Sequence, residues 1–264
     1  MSVPPQPPFI SVEAATKRWS SGVTVLDDIT LTADRGDFVS LIGPSGCGKS
    51  TLLRLLAGLT PLTSGSVRLD GMAPEAAREI MSFIFQDATL LPWRTVRSNV
   101  ELGLELEGST TAARRREIST SMLRLVGLSD VAQMHPRQLS GGMRMRVSIA
   151  RALATCPRIL LMDEPFGALD EMTRDLLNEE LLRLREQERF TTFFVTHSVS
   201  EAVFLSTRIL VLAAKPGRIA REIRVPFDGP RGADLRSAPE FLRLVGEVGS
   251  ALRSVQTPQG PKNP

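Results

Sequence analysis

Lys49 stands in a run whose residue types suit phosphate: Gly43-Pro44-Ser45-Gly46-Cys47-Gly48-Lys49-Ser50-Thr51, with the spacing G-x-x-x-x-G-K-S. The glycines let backbone N–H groups turn inward around phosphate oxygens, Lys49 reaches the β- and γ-phosphates, and the Ser50 hydroxyl can ligate Mg²⁺. A second group follows at Asp163-Glu164, where the apolar run Ile159-Leu160-Leu161-Met162 ends in two adjacent carboxylates. At the C-terminal end of a parallel strand such carboxylates face the ligand crevice. Asp163 would hold Mg²⁺, directly or through water, and Glu164 would orient and deprotonate an attacking water. The chemistry these groups describe is hydrolysis of a nucleoside triphosphate.

Two elements must position the loop. Phe38 to Ile42 reads as a short buried strand, and Ser50 to Leu59 as a helix with apolar positions 52, 53, 55, 56 and 59. A glycine turn before an ordinary helix does not explain strand, helix and full motif together. Upstream, residues 9–15 and 23–32 read as strands joined by a turn at Trp19-Ser20-Ser21-Gly22. Ser66 to Leu69 and Met81 to Phe85 are further strand candidates, the latter ending at Gln86. From about 88 to 156 the pattern turns helical, with arginines at 114–116 and an apolar stretch that stops at Gly127. Strands return at Ile159 to Met162, Thr192 to Val195 and Ile209 to Leu212, and the segment beginning at His197 reads as helical. Glu171 to Arg189 reads as an amphipathic helix with Leu176, Leu177, Leu181, Leu182 and Leu184 on its apolar side and Glu179 spaced i,i+4 from Arg183 outside. Alternating strands and helices predict an α/β fold: a mostly parallel sheet, an N-terminal antiparallel β portion and an inserted helical subdomain.

Composition sets the outer bounds. The 264 residues are 42% hydrophobic and 23% charged, enough for a substantial core. Two cysteines, Cys47 and Cys156, cannot make a disulfide framework and read as reduced thiols. A formal charge of +3 is too small to argue for nucleic acid, and lysine occurs only at 17, 49, 215 and 262, so arginine supplies the positive charge. No apolar run approaches the roughly 18 residues of a bilayer span. Residues 1–8 read as a disordered leader, 257–264 as a disordered tail, and 9–256 as a single domain into which 88–156 is inserted.

Leu139-Ser140-Gly141-Gly142-Met143, followed by Arg144 and a helix through Ala154, resembles the signature of the ATP-binding cassette (ABC) family, usually LSGGQ. The resemblance covers roughly residues 9–225 and implies a P-loop NTPase core that binds ATP and Mg²⁺. It implies that Ser140, Gly141 and Gly142 form a second anion-binding helix N-terminus facing a γ-phosphate. Met143 and Met145 depart from the usual glutamines, leaving the Ser-Gly-Gly intact. Gln86 matches the Q-loop glutamine that contacts Mg²⁺ and water. Ala168-Leu169-Asp170 matches the D-loop, and His197 the switch histidine that contacts the γ-phosphate, with Ser198 where aspartate is usual. Trp19 stands where an aromatic residue stacks on adenine, although core packing is a second reading of it. In this family two cassettes pack head to tail, each ATP lying between one phosphate loop and the opposite signature. One signature per chain therefore implies a second ATPase subunit, in a homodimer or in a pair with a different cassette chain.

Leu90-Leu91-Pro92-Trp93, Leu139 to Met143, Glu164-Pro165-Phe166-Gly167-Ala168-Leu169-Asp170 and Pro216-Gly217-Arg218-Ile219 are similar to a subgroup that imports nitrate, sulfonates and taurine. That likeness implies a permease partner docking near Leu90 to Val96, an extracytoplasmic solute-binding protein, no nucleic acid, and a place on the cytoplasmic face of the inner membrane. A non-transport cassette ATPase, of DNA repair or translation type, and an exporter cassette share the nucleotide motifs and remain alternatives.

Overall fold

The computed structural model describes residues 7–227 and 229–256. The expected tail at 257–264, and the expected leader except for Pro7 and Pro8, lie outside the described residues. In chain order the elements are β1 (Ile10–Arg18), β2 (Thr24–Ala33), β3 (Phe38–Ile42), α1 (Lys49–Leu56), β4 (Ser64–Leu69), β5 (Met81–Ile84), α2 (Val96–Glu107) and α3 (Ala112–Leu125). They continue as α4 (Gly141–Ala154), β6 (Ile159–Asp163), α5 (Glu171–Glu188), β7 (Thr191–Val195), α6 (Val199–Leu205), β8 (Arg208–Ala213), β9 (Arg218–Arg224) and α7 (Pro239–Gln256). The described residues form two compact units, one of those up to Glu79 together with those from Thr191 onward, the other of Ile80–Phe190.

In the first unit β3 lies between β7 and β8 and pairs with both in parallel, Leu41 standing beside Val195 and Leu210. A strand covered on both faces needs a continuous apolar run, and all five residues of β3 are buried. β9 closes the edge antiparallel to β8. β1, β2 and β4 form a separate antiparallel sheet with β1 in the middle. Its register shifts after Val12, and Ala14 takes a positive φ of 45°. The strand thereby continues to Arg18, three residues beyond the strand expected at 9–15. α1 buries Leu52, Leu53, Leu55 and Leu56 and stops there, short of Leu59. Gly58, at φ 63°, turns the chain so that Leu59 N–H reaches Arg54 O at 2.9 Å, which ends the helix and leaves Leu59 exposed. α7 packs Phe241, Leu244, Val248 and Ala251 inward, the stripe of an amphipathic helix.

In the second unit β5 and β6 pair in parallel and α2, α3 and α4 pack on one another. α5 corrects two sequence expectations. Leu177, Leu181 and Leu182 are buried, whereas Leu176 is 64% exposed. Arg183 pairs with Glu180 at 2.7 Å, the i,i+3 neighbour.

Candidate nucleotide site

β3 delivers the phosphate loop at Ile42 and α1 takes over at Lys49. Gly48 caps the helix at φ 99°, and a Cβ there would stand 2.5 Å from Leu26 Cδ2, so both conformation and space require glycine. A Cβ on Gly43 would meet Leu212 O at 2.6 Å and Cys47 Sγ at 2.8 Å. Lys49 is buried inside the loop, its ammonium donating to Gly43 O at 2.9 Å and Pro44 O at 3.0 Å. Burial pushes the Cys47 thiol up from its ordinary value, outweighing the pull of the Lys49 ammonium. Ser50 follows in the first turn, where no acidic residue offsets the positive end of the helix.

The parallel pairing of β3 with β7 brings His197 out at the same C-terminal strand ends as the loop, two residues beyond Val195. His197 is exposed. Next to it, Thr196 Oγ1 donates to Glu201 Oε2 at 2.5 Å and accepts Ser198 N–H at 3.0 Å. Ser198 Oγ accepts Glu201 N–H at 3.2 Å, so the serine caps α6 and fixes the turn that carries His197. Trp19 follows β1 in the expected turn, where Gly22 N–H reaches its carbonyl at 2.9 Å. The indole is 41% exposed and has the Lys17 ammonium 4.7 Å from its ring centroid. Lys17 is itself buried and donates to Pro61 O at 2.8 Å. Trp19 is a surface platform over a cation, which the core-packing reading does not describe.

The second unit holds the acidic groups. β5 and β6 run in parallel, Ile84 beside Met162, so Gln86 and Asp163-Glu164 leave the strand pair at the same end. Asp163 is buried at the end of β6. Glu164 holds a positive φ of 50°, a strained conformation of the kind that clusters at functional sites. Ser140 caps α4, its Oγ accepting Met143 N–H at 3.2 Å, and no acidic residue occupies the first turn there either. A Cβ on Gly142 would stand 3.2 Å from Ala168 O and from Leu169 Cδ2, so the signature packs directly on the loop ending at Asp170. Asp170 Oδ1 accepts Thr173 N–H at 2.9 Å and caps α5. That bond, helped by Arg146, holds its carboxyl below the ordinary aspartate range.

Two residues escaped the sequence reading. Arg151 of α4 donates to Thr89 O at 3.0 Å and Thr89 Oγ1 at 3.1 Å, tying the signature helix to the segment after Gln86. Asn99 of α2, wholly buried, accepts Leu91 N–H at 2.8 Å and donates to Leu91 O, Arg94 O and Thr95 O at 3.0–3.2 Å. It staples the loop that holds Trp93 72% exposed. An asparagine four residues past a helix cap is the only hint the sequence offers, since such a residue favours the cap itself or a turn unless its amide finds other partners.

Residues 26–167, from β2 through the acidic pair, match the family profile described as ABC transporter. The chain belongs to the ABC transporter family. This cassette is 42% identical over 241 residues to a nitrate import ATP-binding protein of Synechocystis, covering 89% of this chain and 90% of that one. It is also 42% identical over 244 residues to a taurine import ATP-binding protein of Rhizobium johnstonii, covering 90% and 93%. Among solved structures, a dimeric ATP-binding cassette in a post-hydrolysis state, bound to ADP and Pi, superposes with a TM-score of 0.77 at 34% identity, covering 83% of this chain and all of that one. The cassette is thus an ATP-binding ATPase of the kind that couples hydrolysis to transport. No helix among the described residues is long and apolar enough to cross a membrane.

Proposed function

We propose that this cassette is the ATP-hydrolysing subunit of an importer for a small anion such as nitrate, a sulfonate or taurine, peripheral to the cytoplasmic face of the inner membrane. Residues 9–256 act as one ATPase domain with 88–156 as its helical subdomain. The loop amides of Gly43 to Thr51 and the Lys49 ammonium hold the phosphates, and Trp19 takes the adenine face opposite Lys17. Ser50, Gln86 and Asp163 supply hard oxygen donors, the set that suits Mg²⁺, a cation held by few protein ligands plus the substrate's phosphates. When bound, Mg²⁺ neutralises charge on the phosphates. Glu164 takes the proton of the attacking water, and Gln86 and His197 orient water and γ-phosphate.

A lone cassette offers half of these donors. Ser140, Gly141 and Gly142 present the second helix N-terminus to ATP held by a partner subunit, with Asp170 beside them, so chemistry waits for the homodimer to close. The dimeric cassette neighbour supports that reading. Loss of the γ-phosphate after hydrolysis removes the differential affinity for the closed state.

The observation that carries the importer reading is the Leu90 to Thr95 loop. A tryptophan 72% exposed on a loop stapled by a buried asparagine is an aromatic anchor held ready for a partner, here the permease's cytoplasmic helix. Relatives at the same 42% identity carry nitrate and taurine in their names, which favours small anions as a class. A solute-binding protein outside the membrane completes the system. The test is to trap Glu164→Gln with ATP in membranes of the source organism and identify the integral membrane protein that copurifies. A permease encoded beside a solute-binding protein supports the importer. Only soluble or nucleic-acid-associated partners would favour a non-transport ATPase.

A further inference from the structure

Pro216-Gly217-Arg218-Ile219 leads from β8 into β9 and passes against the phosphate loop. Gly217 donates its N–H to Val25 O at 2.8 Å and accepts Asp27 N–H at 2.9 Å, bridging to Leu26 of β2. Arg218 Nε donates to Asp27 Oδ2 at 3.0 Å and anchors the same turn a second time. Leu26 in turn fills the space that a Cβ on Gly48 would need. A Cβ on Gly217 would fall well inside contact distance of the Cys47 carbonyl oxygen, and would stand 2.9 Å from Val25 O and 3.0 Å from Leu26 Cδ2. Gly217 is not among the residues with positive φ, so what glycine supplies here is space.

We propose that Gly217 is a positioning residue for the nucleotide site. Its bare Cα, pinned to β2 by two backbone hydrogen bonds, is the floor on which the Cys47 peptide rests. The level of that peptide sets where the N–H groups of Gly46 to Lys49 point. A methyl group at 217 has two ways out. The turn can retreat, breaking its bonds to Val25 and Asp27, or the Cys47 peptide can rise and misaim the loop amides. The double anchoring of the turn makes the second the easier path. A misplacement of about 1 Å can cost on the order of 10²-fold where several contacts must be met together. The inference rests on the phosphate loop being the ATP site.

Titration calorimetry with MgATP on the full chain tests it, with inorganic pyrophosphate as a second probe that reads phosphate contacts alone. Gly217→Ala is expected to raise Kd for both probes at least about 10-fold, a tenth of that ceiling, with binding stoichiometry unchanged. Gly246→Ala, where a Cβ meets nothing within 4 Å, is the matched control and stays within about twofold, the scale of a few tenths of a kcal/mol. Asp27→Ala frees the Arg218 anchor without adding an atom and gives the answer should Gly217→Ala not fold; it raises Kd about threefold, within the range of one exposed ion pair. Unchanged Kd with reduced stoichiometry in Gly217→Ala means only a lost folded fraction and overturns the proposal, as does unchanged Kd in both variants. Failure of the unmodified chain to bind MgATP would instead overturn the nucleotide-site reading beneath it.

Discussion

Asn99→Ala separates the staple on the Leu91 to Thr95 loop from the rest of the helical subdomain. The amide makes four hydrogen bonds, but their loss is not four equal losses. Leu91 O also accepts Arg94 N–H at 3.1 Å, and Thr95 O also accepts the backbone N–H of residue 99 at 2.9 Å, so both keep a partner. Leu91 N–H and Arg94 O lose the bonds that Asn99 makes to them. Each group costs about 1–3 kcal/mol if it stays buried, and both residues are half-buried, so the lower half applies: about 3 kcal/mol together. Alanine returns about 0.5 kcal/mol in helix propensity, leaving about 2.5 kcal/mol. For a chain of this size that lowers Tm by about 5–10 °C. Thermal melts followed by circular dichroism read the loss, and the Trp93 emission, referred to a Trp93→Phe control, reads release of the loop. A Tm within about 1 °C of the unmodified protein, with unaltered Trp93 emission, would refute the staple.

Lys49→Ala removes the ammonium inside the phosphate loop and is expected to weaken ATP binding by 10-fold or more, about the worth of one charge-assisted hydrogen bond; unchanged affinity by titration calorimetry contradicts its role. The two cysteines differ in access, Cys47 being buried and Cys156 exposed. Burial holds the Cys47 proton on to higher pH than the ordinary 9.0, so the native state binds more protons than the unfolded one above that pH and this contribution to stability is lost as pH rises. Near pH 8 a thiol reagent should modify Cys156 alone in native protein and both thiols in urea. Equal rates at both sites in the native state would show that the loop does not enclose Cys47.

What the sequence disclosed was what backbone geometry dictates locally. Phe38 to Ile42 read as a short buried strand and is one, and the helix expected from Ser50 to Leu59 starts one residue earlier and ends three residues earlier, at Lys49–Leu56. The helices expected after the signature, from Glu171 and after His197 are present as well, and the structure adds that Ser140, Asp170 and Ser198 cap them. Elements whose signal lies in long-range packing were harder to read. Arg218 to Arg224 offers only Ile223 to the interior, as an edge strand does, so its pattern carries almost no alternation to find. α7 shows its stripe clearly once Phe241, Leu244, Val248 and Ala251 are seen against α6 and β8, yet it carries none of the nucleotide motifs. Leu176 sat one position outside the stripe that Leu177, Leu181 and Leu182 define, a distinction the sequence of a leucine-rich helix does not make. Asn99 and Arg151 act on segments 8 and 62 positions away, and spacing alone cannot link them.

In the proposed reaction Glu164 is the general base of ATP hydrolysis. The most direct measurement is phosphate release by purified protein with MgATP, comparing the unmodified chain with Glu164→Gln after both are shown to bind ATP. The variant is expected to bind ATP but hydrolyse it at least about 10²-fold more slowly, the low end for a lost general base. Near-normal hydrolysis by the pure variant would remove Glu164 from that role.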